Sequence, residues 1–118
     1  MSMVCGNIVF NPQPDPGVFD QMVIYIYLED TSYADAPAQV ITSVTIDHIS
    51  QESRGNARVP FAIRSMPPEG KGRYSLRVHA DVDGDGKVSR GDYITKTSYP
   101  VRIRGSPQRL EVRVDVVE

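Results

Sequence analysis

Two stretches in the last third of the chain alternate between apolar and polar residues. Tyr74, Leu76, Val78 and Ala80 interleave with Ser75, Arg77, His79 and Asp81, and Leu110, Val112, Val114 and Val116 interleave with Arg109, Glu111, Arg113 and Asp115. Successive side chains of an extended strand point to opposite faces, so this period of two predicts strands with one dry and one wet face. Met22 to Glu29 is almost wholly apolar and aromatic, which predicts a strand covered on both faces. Met3 to Phe10 reads as a strand interrupted at Gly6, and Gln39–Ile46, Arg58–Arg64, Tyr93–Thr97 and Tyr99–Arg104 read as further short strands.

The segments between them are rich in turn formers. Asn11 to Gly17 is a proline-rich connector, predicted to hold neither helix nor central strand. Asp30–Pro37 reads as a polar loop, Asp47–Asn56 as a flexible one, Met66–Gly70 as a turn, and Gly105-Ser106-Pro107 as a strand break. No segment has a helical period. The pattern predicts an all-β fold, an antiparallel β-sandwich of about seven to eight strands forming a single domain over 1–118.

Composition narrows the class. The chain has 118 residues, 40% hydrophobic and 24% charged, which is globular and large enough to bury a core. A net charge of −2 offers no general attraction to nucleic acid or acidic membranes. Cys5 is the single cysteine, so no internal disulfide forms. No run approaches the roughly 18 apolar residues of a membrane span, and the N-terminus shows no signal peptide. The sequence as it stands reads as cytoplasmic, or as periplasmic or envelope-associated if a leader has been removed.

The candidate chemistry lies in Asp81-Val82-Asp83-Gly84-Asp85-Gly86-Lys87-Val88-Ser89-Arg90-Gly91-Asp92. Acids at the first, third, fifth and twelfth places, with glycine at the sixth, match the ligand pattern of an EF-hand-type or dockerin-type calcium loop. Calcium takes six to eight oxygens at about 2.3–2.6 Å. Asp81, Asp83 and Asp85 would offer carboxylate oxygens, Lys87 its backbone carbonyl, Ser89 an oxygen acting directly or through water, and Asp92 the closing carboxylate. Gly86 permits the sharp turn, and Val88 is the apolar tether. Asp92 is one methylene shorter than the Glu of a strong EF-hand, which predicts moderate affinity. A cage of protein oxygens favours calcium over magnesium. The bland alternative is a solvated Asp/Gly turn, but four acids so close repel one another unless a cation or protons relieve them. Because the incoming segment alternates with period two, the loop is predicted to bridge two strands as an enlarged hairpin.

Val23-Ile24-Tyr25-Ile26-Tyr27-Leu28-Glu29-Asp30 with the following Thr31 to Ala38, then Val59–Ile63, Tyr74–Val78, Thr97–Val101 and Gly105–Pro107, resemble the YbaY/YscW family. These are small lipoproteins that include type III secretion pilot proteins. The resemblance implies a β-sandwich and a non-enzymatic, chaperone-like or envelope-associated binding module. Two features depart from the family pattern. Cys5 has no lipobox before it, and Asp81–Asp92 replaces what is a shorter hairpin in the family.

The remaining residues carry less. His48 and His79 read as surface histidines, and Cys5 as a small hydrophobe or part of a frayed end. Arg90-Gly91-Asp92 spells an integrin-ligand tripeptide by coincidence. Arg102, Arg104, Arg109 and Arg113, interleaved with Glu111 and Asp115, form a solvated mixed-charge face. No hydrolase, zinc, redox or nucleotide-binding signature is present. The sequence thus predicts a non-enzymatic calcium-binding β-sandwich whose ion orders a loop for stability or partner binding. The alternative is a pilotin- or chaperone-like protein-binding module without metal dependence.

Overall fold

The alternation along Tyr74–Asp81 becomes a strand whose Leu76, Val78 and Ala80 are shut away from water. The computed structural model describes residues 2–31, 39–49, 58–65, 73–97, 99–101 and 108–118. Among these residues eight strands follow one another: β1 (Ser2–Asn11), β2 (Val23–Asp30), β3 (Gln39–Ile46), β4 (Arg58–Ser65), β5 (Tyr74–Asp81), β6 (Tyr93–Ile94), β7 (Tyr99–Val101) and β8 (Gln108–Val116). The all-β class read from the alternation is the class observed. The strands form one sheet in the order β3-β2-β5-β6-β8-β1-β4, with β7 also pairing with β5. The sheet curls until its end strands β3 and β4 come within 8 Å between Cα atoms, so its two halves face each other across one core. Neighbours are antiparallel except β1 and β8, which run parallel. A parallel pair needs a long crossover, and here nearly the whole chain lies between its two strands.

The core is filled from both halves of the sheet. Val4, Ile8 and Phe10 of β1 meet Val59, Phe61 and Ile63 of β4, Val112 and Val114 of β8, and Ile24, Ile26 and Leu28 of β2. Burying one such side chain contributes about 1.5–3 kcal/mol. Phe10 stands edge-on to both Phe19 and Tyr93, with ring centroids 5.3 and 5.1 Å apart. That geometry suits the positive edge and negative face of the rings.

Several expectations are corrected. Gly6 does not interrupt β1; the strand runs through it opposite Leu110 of β8. A β-carbon on Gly6 would lie 1.6 Å from the Leu110 carbonyl oxygen, so the glycine is what lets the two backbones close. The proline-rich connector holds a short 3-10 helix, Pro16–Asp20. Its proline stands at the first turn, where a missing amide costs nothing, and the turn delivers Phe19 to the core.

β2 is covered on one face only: Ile24, Ile26 and Leu28 are buried, while Tyr25 and Tyr27 are half-buried on the outer face. There the two rings stack 6.4 Å apart and the Arg77 guanidinium sits 4.2 Å over Tyr27, so side chains rather than a second layer cover them. β6 stops at Ile94 because the Thr95 amide donates to the Val78 carbonyl while the Thr95 hydroxyl accepts from the Val78 amide. Ile49, expected in a flexible loop, is buried. The expected polar loop beyond Thr31, the rest of the 47–56 loop, the 66–70 turn, the end of the Tyr99–Arg104 strand with Arg102 and Arg104, and the Gly105–Pro107 break lie outside the described residues.

Candidate functional site

β5 ends on Asp81 and β6 begins just after Asp92, and the two strands pair antiparallel through His79–Ile94 and Ala80–Tyr93. The acidic segment is therefore the enlarged hairpin its pattern predicted. Its outer residues Asp83 to Val88 are exposed, whereas Asp81 and Asp92 at its two feet are 0% and 1% exposed.

A buried carboxylate needs donors, and the loop supplies them. The amides of Gly84 and Gly86 donate to the two Asp81 oxygens at 3.1 and 2.6 Å. Gly86, with φ of 80°, takes the left-handed turn that brings its amide inward. Farther out, the Asp85 amide reaches Asp83 at 3.4 Å and the Lys87 amide reaches Asp85 at 2.9 Å. Each carboxylate oxygen has two lone pairs, so one amide per oxygen leaves room for a second partner.

Asp92 is held more tightly. Its Oδ1 accepts the Val82 amide at 3.0 Å, and its Oδ2 accepts the Ser89 amide at 3.1 Å and the Ser89 hydroxyl at 3.3 Å. His79 Nε2 lies 2.9 Å from the same Oδ2. Burial alone would raise the Asp92 pKa, but the bonds from His79, Val82 and Ser89 outweigh it and hold the carboxyl below its ordinary value.

His79 is not the surface histidine its place in the polar set suggested. It is 4% exposed, roofed by Tyr25 at 5.9 Å between ring centroids and closed off by Asp92. Sequence reasoning missed it because its partners come from a neighbouring strand and from the far foot of the loop. The available signal was its position two residues before the first loop acid, where a returning hairpin places the last one. His48 is exposed, as expected.

The predicted ligands converge in part. Asp81, Asp83, Asp85 and Asp92 each bring a carboxylate oxygen within 4.8 Å of the others, and His79, Asp81 and Asp92 form a second, overlapping group. The Ser89 hydroxyl lies between Asp83 and Asp92, 3.4 and 3.3 Å away. Lys87 is exposed and holds Asp85 through its amide. Val88 is no tether: it is 54% exposed, and Val82 packs against the core instead. With Asp92 buried, the Arg90-Gly91-Asp92 tripeptide has no free carboxylate to present. Ser89 and His79 both address Asp92, so the hydroxyl is not aligned on the imidazole as a Ser–His–Asp nucleophile requires.

Along β8 and its neighbours, Arg58 pairs with Glu111 at 2.6 Å and Arg113 with Asp115 at 2.8 Å, the mixed-charge face expected there. Cys5 is half-buried on β1. Among the described residues, no helix is long and apolar enough to cross a membrane.

No protein-family model and no curated protein matches the chain. A solved structure does: an alternative pilotin from the type II secretion system of Vibrio cholerae, with a TM-score of 0.70 and 24% sequence identity. The match covers 98% of this chain and 96% of the other. The likeness is one of fold over the full span.

Proposed function

We propose that this chain is a non-enzymatic, pilotin-like module that binds a polypeptide component of a secretion machine at the cell envelope. The observation that carries this reading is the structural match with a pilotin over nearly the full length of both chains. The buried His79–Asp92 pair is consistent with it, since the neighbouring Ser89 hydroxyl bonds Asp92 and is not aligned on the imidazole. The test is capture of the full chain from its own cell envelopes, followed by mass spectrometry and titration of the partner recovered. A saturable complex with a secretion-system polypeptide supports the reading. Recovery of the chain without any such partner overturns it.

A second reading rests on the four carboxylate oxygens gathered within 4.8 Å of one another. A calcium ion would be held by Asp81, Asp83, Asp85 and Asp92, with the Lys87 carbonyl and Ser89 completing the oxygen set. The donor chemistry suits a hard cation. Asp92 Oδ2 already accepts from three donors, so this residue contributes chiefly through Oδ1. Loss of a bidentate twelfth ligand argues for weaker binding than in sensor EF-hands. When bound, the ion supplies charge neutralisation and order to the exposed part of the loop. Calorimetric titration of chelator-stripped protein tests this, with Asp83→Ala and Asp85→Ala as exposed-site controls. One saturable site lost in both variants supports the ion; absence of heat at millimolar calcium removes it and leaves the protein-binding reading standing.

A further inference from the structure

With Val4, Ile8 and Phe10 turned into the core, β1 presents Met3, Cys5 and Val9 on the outer face of the sheet. The register sets Arg64 and Arg58 of β4 beside Met3 and Val9 on one flank, and Arg109 and Arg113 of β8 beside Cys5 and Val9 on the other. All four arginines are exposed. Arg58 and Arg113 are engaged by Glu111 and Asp115. Among the described residues, Arg64 and Arg109 have no acidic partner. The chain carries a net charge of −2, yet this face sets four arginines against two acids. Between the two unpaired arginines lie Met3 and Cys5, half-buried and uncharged.

Resting on the protein-binding reading of the chain, we propose that its polypeptide partner docks on this outer face of β4, β1 and β8 through two carboxylates with an apolar side chain between them. Arg64 and Arg109 stand two strands and two residues apart in the register, which is about 12 Å between Cα atoms at standard sheet spacing. An extended segment covers about 13 Å in four residues, so acids at its first and fifth places meet the two guanidiniums. Its third residue points the same way and lands on Met3 and Cys5. Guanidinium and carboxylate then form charge-assisted hydrogen bonds. An anionic lipid surface fits less well, because its negative charge is continuous. Glu111, with its side chain 58% exposed, and Asp115 stand in the same face and repel such a surface. The regularly spaced phosphates of a nucleic acid meet the same two carboxylates. A peptide places its acids only where the unpaired arginines are.

Fluorescence anisotropy of a labelled peptide of repeating Glu-Ser-Leu-Ser units, titrated with the full chain at low ionic strength, tests this site. Saturable binding that weakens with added salt is expected, and none to the same peptide with lysine in place of glutamate. Arg64→Ser/Arg109→Ser is expected to weaken binding about tenfold, the loss of two exposed ion pairs. Lys87→Ser/Arg90→Ser removes two exposed cations from the acidic loop and is expected to bind like wild type. Circular dichroism checks that both variants keep the wild-type sheet. A wild-type chain that does not saturate at millimolar peptide overturns the site, as does equal weakening in the two double variants. Tighter binding to phosphatidylglycerol vesicles through the same two arginines also overturns it and assigns the face to lipid. A partner recovered from cell envelopes whose binding ignores Arg64→Ser/Arg109→Ser overturns this site alone and leaves the pilotin-like reading intact.

Discussion

Asp92 is the side chain on which the loop turns. Its two oxygens collect four donors, from Val82, Ser89 and His79, in a place closed to water. Replacing it with alanine strands the buried imidazole of His79 and the partly buried donors of Val82 and Ser89, at about 1–3 kcal/mol for a buried group left unpaired. Asp92→Ala is therefore expected to lower unfolding stability by about 2–4 kcal/mol, read as a fall in urea midpoint at constant slope. Asp92→Asn keeps an acceptor oxygen and should lose less. Asp115 makes a milder case on β8, opposite Ile94 of β6. The Asn11 side chain first, then Arg113, hold its carboxyl below the ordinary value. A depressed folded-state pKa contributes stability above the unfolded value, and that contribution disappears as pH falls through the folded one. Urea midpoints for wild type and Asp115→Asn should therefore differ at pH 6 and converge in strong acid. The difference should be small, because Asp115 remains partly solvated.

At the scale of elements, β1 is held on both sides, and Gly6 sets how closely β8 can lie. The Leu110 carbonyl occupies the volume a β-carbon would need. The obstructing atoms are backbone, which cannot rotate away, so Gly6→Ala must part the strands or shift their register. The expected loss is at least about 3 kcal/mol, at the upper end of single-substitution effects. Gly17→Ala, where no atom lies within 4 Å of the added carbon, serves as a near-neutral control. Thermal melts of both variants decide the matter. Gly6 also shows where sequence reading reaches its limit. β5 and β8 were legible because period-two alternation is a local signal, and the loop was legible because its acids recur at ligand spacing within one segment. The parallel pairing of β1 with β8, the burial of His79 under Tyr25 and the outer tyrosine stack on β2 each depend on a strand distant in sequence. No local pattern encodes such partners. For the same reason Val88 misled: the apolar tether is Val82, next to a foot that the fold had already buried.

At the scale of the whole molecule, the question is whether the fold needs the proposed ion. The core is built from β1, β2, β4, β5 and β8 with Phe19, Met22, Ile49, Tyr93 of β6 and Val101 of β7, and none of its residues lies between Asp83 and Val88. The feet of the loop are satisfied without a metal, Asp81 by two amides and Asp92 by its own set of donors. Calcium would thus act on a hairpin already anchored at both ends, and its binding energy adds to a folded chain rather than creating one. At free calcium one hundred times its dissociation constant, linkage raises stability by about 2.7 kcal/mol. For a domain of this size that corresponds to a melting temperature higher by roughly 10 °C. Chelation should accordingly lower the melting temperature by that amount while leaving the far-ultraviolet dichroism of the sheet unchanged. Faster amide exchange should be confined to the exposed part of the loop. Loss of sheet signal on chelation would instead make the ion a folding cofactor, and the self-sufficiency of the Asp81 and Asp92 networks would have to be abandoned.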